Sequence, residues 1–195
     1  MMMEAAQRLP VWPRPLRAVA GDGTSVVPRD LPRSTLFRHT TGCCGALLEY
    51  AFERAEQRLF WPFGGVPEAE GEDEEWLPLP LPHLRAKAPG GVREHSTPPE
   101  RQRCGAVTSN FTRLTVEVGN NEPTPLQLGV DESYVLEVSS EGGVLRAQSE
   151  WGALHGLETF TSLVQWDGER LLICEVPIRI DDSPEYRWRG LLLDT

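Results

Sequence analysis

Residues 62–103 divide this chain more sharply than any motif in it. They hold eight prolines, the acidic run EAEGEDEE and the repeat LPLPLP. Proline removes a backbone donor and blocks helix, and crowded carboxylates repel one another. No apolar period of 2 or 3.6 survives there for long. The stretch reads as a mostly disordered excursion between two folded parts. LPLPLP has the composition of a polyproline ligand, but a tolerated insertion at a surface loop is the plainer reading.

The rest of the chain is ordinary enough to fold. Of 195 residues, 39% are apolar and 25% are charged, which excludes wholesale disorder and allows one domain with a real core. The net charge of −10 argues against general binding to a phosphate backbone, so no nucleic-acid partner is expected. No apolar run approaches the roughly 18 residues of a membrane span. At the N-terminus, Glu4, Gln7 and Arg8 interrupt the apolar core that a secretory signal needs. Either the protein is not secreted by that route or its true start is missing.

Secondary structure is legible on both sides of the excursion. Residues 1–8 are expected to be unstructured. Residues 11–37 mix β-branched residues with Pro and Gly and read as short strands joined by turns, GDG being one turn. Residues 45–60 place Leu48, Phe52, Ala55 and Leu59 on one helical face. Residues 111–118 alternate, with Leu114, Val116 and Val118 inward, and residues 133–138 alternate with Tyr134, Leu136 and Val138 inward. The SSEGG turn then closes a hairpin onto VLRAQ.

Ser149 is placed to cap a second helix over 150–164, striped by Leu154, Leu157, Phe160 and Val164. The two glycines of that helix, each costing roughly 1 kcal/mol of propensity, are explained by close approach to a neighbouring backbone. Asp167-Gly168 reads as a hairpin turn into LLICEV, and Ile178 with Ile180 as a further strand. After DDSP, the sequence YRWRGLLLDT ends in an apolar run without alternation, the pattern of a strand covered on both faces. Truncation inside or just after that strand is the simplest account of where the chain stops.

The motifs WGALHGLETF, SLVQ, VDESYVLEV and DDSPEYRWRGLLLDT, in that setting, resemble the eukaryotic β-N-acetylhexosaminidases of glycoside hydrolase family twenty. VWPRP and GCCGALLEYAFERAEQRLF resemble the start of the same N-terminal domain, so the resemblance spans roughly residues 9–60 and 104–195. It implies an α+β fold over residues 9–182, an antiparallel sheet with two helices on one face. It also implies that residues 183–195 form the first strand of a (β/α)₈ barrel, truncated here.

The implied activity is removal of terminal N-acetylglucosamine or N-acetylgalactosamine from glycans and glycolipids. The substrate's own acetamido oxygen attacks the anomeric carbon while an Asp orients it and a neighbouring Glu protonates the leaving oxygen, an exception to the two-carboxylate retaining scheme. That Asp-Glu pair lies downstream of Thr195 in the family, so no catalytic residue is expected in this chain. Glu74-Glu75 and Asp181-Asp182 read instead as solvated surface charge. Arg189 matches the family arginine that hydrogen-bonds hydroxyls of the terminal sugar, work suited to a guanidinium with five fixed donors. No cofactor or metal is implied.

The cysteines are Cys43, Cys44, Cys104 and Cys174, with no CxxC spacing. Composition alone leaves buried free thiols open. The resemblance pairs Cys104 with a cysteine before the first helix, Cys44 by proximity or else Cys43, and leaves Cys174 as a buried thiol. It also implies glycosylation at Asn110 in the Asn110-Phe111-Thr112 sequon, a lysosomal or secreted location, and a homo- or heterodimer for the complete enzyme. Two alternatives stand against the enzyme. One is a free-standing, non-catalytic interaction module derived from the family. The other, a zinc hydrolase, fails for lack of HExxH, because His39, His83, His95 and His155 are scattered.

Overall fold

The structure is a computed structural model and describes residues 9–11, 13–28, 36–40, 45–60, 104–120, 123–186 and 188–190. The expected unstructured residues 1–8, the 62–103 excursion, Cys43, Cys44, Glu74-Glu75, His83, His95 and the LLLD run lie outside the described residues.

Eight strands and two helices are described. They are β1 (Arg17–Val27), β2 (Phe37–His39), α1 (Gly45–Phe60), β3 (Val107–Asn110), β4 (Leu114–Val118), β5 (Tyr134–Val138), β6 (Gly143–Ala147), α2 (Glu150–Leu163), β7 (Val164–Trp166) and β8 (Leu171–Asp182). The strands form one sheet in the order β2-β4-β6-β5-β8-β1-β3, with β7 also paired to β8. The expected antiparallel sheet is corrected to a mixed one: β1–β3, β2–β4 and β4–β6 are parallel. Each of these pairs joins strands that are not consecutive in the chain, which a hairpin-by-hairpin reading cannot see.

Alternation sorts the two faces of the sheet. Leu114, Val116 and Val118 of β4 and Tyr134, Leu136 and Val138 of β5 are buried, as their spacing requires. The opposite face carries a ladder of ion pairs across four strands. Arg146 bridges Glu117 at 2.8 Å and Glu137 at 2.6 Å, and Glu137 also meets Arg179. These side chains are each about half exposed, so the ladder keeps that face wet more than it stabilises it.

The buried face is closed by both helices. Leu48, Ala51, Ala55 and Leu59 of α1 are buried, and Phe52 stacks on Phe37 of β2 with ring centroids 5.4 Å apart. Phe160 of α2 meets Phe37 edge-on at 5.8 Å and Phe111 at 5.4 Å. Such ring pairs add about 0.5–1.5 kcal/mol each beyond simple burial. They join segments from both sides of the 62–103 stretch into one core. The buried face of α2 is wider than the expected stripe: it includes Gly152, Ala153, Gly156, Thr159 and Leu163, whereas Leu154 is only half-buried. A Cβ on Gly152 would collide with the Ser133 carbonyl oxygen, and one on Gly156 with the Leu145 side chain. The first is the close backbone approach expected; the second is packing against a side chain.

Three further expectations change. GDG is not a turn but the middle of β1, where the register against β8 shifts between Ala20 and Gly23. A Cβ on Gly21 would lie 2.6 Å from the Val176 carbonyl oxygen, so glycine admits the bulge of β8 at Glu175 and the cis Val176-Pro177 bond. Ile178 and Ile180 belong to β8 itself, which is one long strand rather than two. Residues 183–186 and 188–190 form no strand, so the start of a barrel is not seen among the described residues.

Cys174 is not a free thiol. It forms a disulfide with Cys104, with Cα atoms 5.2 Å apart, which corrects the expected pairing of Cys104 with Cys44 or Cys43. Cys174 and Val107 both align with Thr24 of β1. The bridge therefore ties the segment entering edge strand β3 to β8 across β1. The family resemblance favoured the cysteines near α1; the sheet order put β8 within reach instead.

Candidate functional site

Arg189 is the one residue for which sequence analysis expected contact with substrate, and its surroundings are built from the first turn of α2. Ser149 has extended backbone angles, and its hydroxyl accepts the Gly152 N–H at 3.2 Å, the cap expected from sequence. The same hydroxyl donates to the Asp131 carbonyl. Glu150, 2% exposed, accepts the Thr124 N–H, and Trp151 Nε1 donates to the Thr124 carbonyl at 2.7 Å. The irregular segment 123–133 is thereby hooked to the helix at both ends.

Asp131 then shapes the last turn before β5. Its Oδ1 accepts the Ser133 N–H at 2.9 Å and the Ser133 hydroxyl at 2.6 Å. Between these two residues, Glu132 faces α2. Its side chain is 17% exposed, and a single oxygen, Oε1, takes both His155 Nε2 at 2.9 Å and Arg189 Nη2 at 2.7 Å. A carboxylate only accepts, so Nε2 of His155 carries the shared proton. Arg189 Nη1 donates to the Tyr186 carbonyl at 2.8 Å, a contact within the strap formed by residues 185–186 and 188–189.

Burial by itself would raise the Glu132 carboxyl. The hydrogen bonds from Arg189 and His155, with their charges, outweigh it and hold the group below the usual carboxylate range. A depressed folded-state value stabilises the fold above the unfolded carboxylate range and ceases to do so as pH falls through the lowered value. Glu132→Gln should therefore lower the melting temperature of the 195-residue chain most near neutral pH, and the gap to wild type should close as pH falls below the ordinary carboxylate range. Melts across that range check this; a gap that holds constant would remove the ion pair as its cause. The charged and titratable groups around Glu132 are Arg189 on the strap, His155 on α2 and Asp131 on the same loop.

Glu132 escaped the sequence reading, although it lies within the quoted VDESYVLEV motif, because nothing in a sequence joins it to a residue 57 positions away. His155 was expected to be a packing or surface residue, and it is half-exposed with Glu132 as its partner. Asp181 is exposed as expected, but Asp182 is a strut. Its carboxylate accepts the Leu16 N–H at 3.0 Å and the Tyr134 hydroxyl at 3.2 Å. Burial, and to a smaller degree Asp182, push the Tyr134 phenol upward against the opposing hydrogen bond with Thr159. Asn110 is exposed at the end of β3, and Thr112 of its sequon donates to the Glu141 carbonyl at 2.7 Å.

No group of three or more His, Cys, Asp or Glu able to hold a metal occurs among the described residues. No described helix is long and apolar enough to cross a membrane. The solvent face of the sheet has concavities of about 320 and 400 Å³ beside the ion-pair ladder, and Arg189 lines neither. What the site offers is a guanidinium held at two points, on a segment whose Tyr186 and Trp188 side chains are exposed.

Residues 11–163 match the family model described as beta-acetyl hexosaminidase like. This chain belongs to that family. Among the family's curated members, the beta-hexosaminidase of Emericella nidulans is 36% identical over 127 residues, covering 62% of this chain and 20% of that protein. Beta-hexosaminidase subunit beta of Homo sapiens is 36% identical over 106 residues, covering 54% of this chain and 18% of that protein. The chain thus spans about a fifth of the length of the hexosaminidases it matches. Among solved structures, Flavobacterium johnsoniae chitobiase superposes with a TM-score of 0.61 at 23% identity, over 96% of this chain and 23% of that one. An exo-β-N-acetylglucosaminidase from Vibrio harveyi gives 0.51 at 17% identity, over 94% of this chain and 20% of that one. These two likenesses speak for a shared fold.

Proposed function

We propose that this chain is the N-terminal domain of a β-N-acetylhexosaminidase whose complete form removes terminal N-acetylglucosamine or N-acetylgalactosamine from glycans and glycolipids. Family membership over residues 11–163 is the observation that carries this reading. The reaction is substrate-assisted and retaining: the acetamido oxygen forms the bond to the anomeric carbon as the leaving oxygen departs with a proton from a Glu. In this reading the Asp-Glu pair follows Thr195, and residues 183–195 lead into the first barrel strand. Arg189 contributes hydrogen bonds to hydroxyls of the terminal sugar. Among the described residues, Tyr186 and Glu132 take two of its five N–H donors, which leaves three for a ligand.

The disulfide favours an oxidising compartment, and with the exposed sequon Asn it supports a glycosylated protein of the secretory pathway, lysosomal or secreted. Several relatives are named as subunits, which supports a homo- or heterodimer for the complete enzyme. A second reading, a non-catalytic interaction module, is favoured by one observation: the strap carrying Arg189 is fastened back onto the domain through Glu132.

The two readings part in an assay with a chromogenic N-acetylglucosaminide. The 195-residue chain alone should show no turnover, and the protein translated from the full transcript should be active. Robust turnover by the chain alone would overturn the domain assignment. A full transcript that ends at Thr195 would favour the module.

A further inference from the structure

We infer that Glu132 is a positioning residue for Arg189: from outside the sugar pocket, its carboxylate sets the direction in which the guanidinium presents its free donors. This rests on the reading of Arg189 as a sugar ligand. A guanidinium binds hydroxyls well only when its plane is fixed, because a freely turning fork must be ordered at the moment of binding. Here the plane is fixed at two points. Nη2 is held by Glu132 at 2.7 Å and Nη1 by the Tyr186 carbonyl at 2.8 Å.

The Tyr186 contact lies within the strap and moves with it. Glu132 is the contact that refers Arg189 to the rigid domain. Its own position is over-determined: His155 of α2 takes the same oxygen at 2.9 Å, the flanking Asp131-Ser133 turn is closed by two hydrogen bonds, and Gly152 lets α2 approach the Ser133 carbonyl. Glu132 is 17% exposed while Arg189 is 44% exposed, so the carboxylate sits on the protein side of the pair and the guanidinium on the open side. A group that supports a ligand-binding side chain from behind has this arrangement.

The test is a double-mutant cycle in the complete protein, read as kcat/KM on a chromogenic N-acetylglucosaminide, with thermal melts as the check on folding. Glu132→Ala should lower kcat/KM by about 10²-fold, the scale of a misplaced binding group. Glu132→Gln, which keeps an accepting oxygen, should restore most of that loss. In an Arg189→Lys background, Glu132→Ala should cost nothing further, because its route of action is already gone. An equal loss in both backgrounds would mark a general structural role and overturn the proposal. So would unchanged kinetics for Glu132→Ala beside a severe loss for Arg189→Lys, and that result would leave Arg189 a sugar ligand. Unchanged kinetics for Arg189→Lys would remove the reading of Arg189 itself and this inference with it. Should the Ala variant fail to fold, Glu132→Asp, whose shorter side chain draws the carboxylate back from Arg189, carries the cycle with the same two readings.

Discussion

Cys174→Ser should lower the unfolding free energy of the 195-residue chain by about 4 kcal/mol, seen as a drop in the urea midpoint. The magnitude follows from the 70 residues that separate Cys104 and Cys174. A cross-link over that separation removes loop-closure entropy from the unfolded chain on the scale of about 4 kcal/mol. Total stabilities of about 5–15 kcal/mol make this a large share, so the variant should be marginal at physiological temperature. Adding reductant to the wild type should reproduce the effect. Replacing Cys43 and Cys44 together should leave the Cys104–Cys174 bridge intact, since the sheet brings Cys104 to β8. Non-reducing peptide mapping that linked Cys104 to Cys43 or Cys44 would refute the pairing.

Arg189→Lys in the complete protein should keep the fold and lose roughly 10²- to 10³-fold in kcat/KM, one or two charged hydrogen bonds at about 1.5–3 kcal/mol each. Lysine conserves the charge but has one nitrogen at its tip. The fork of Arg189 spans two partners, the Tyr186 carbonyl and Glu132, and still presents donors outward. A single ammonium cannot hold both partners and also reach neighbouring sugar hydroxyls. Lysine keeps a positive charge beside Glu132, so melting temperature should move little while turnover falls. Kinetics that match wild type would exclude Arg189 from the pocket.

Local chemistry made much of this domain readable before any coordinates. The 3.6-residue spacing of Leu48, Ala55 and Leu59 and the cap at Ser149 located both helices to within a residue or so. Alternation in LTVEV and YVLEV assigned the inward face of each strand, and SSEGG and Asp167-Gly168 marked two real hairpins. The GDG stretch misled because glycine pairs usually signal a turn. Here they allow β1 to pass the bulge of β8 without a collision.

The candidate site divides along the same line. Arg189 could be proposed because it sits in a contiguous, recognisable stretch of sequence. Glu132 and His155 were not, because their roles exist only after α2, the 123–133 segment and the strap have been brought together. The bridge from Cys104 to Cys174 and the three parallel strand pairs belong to that second class. Periodicity and capping act over a few residues, so the chain's own order reveals them. Which distant strands become neighbours depends on how the whole apolar face is covered at once, and only the folded sheet with its two helices settles that.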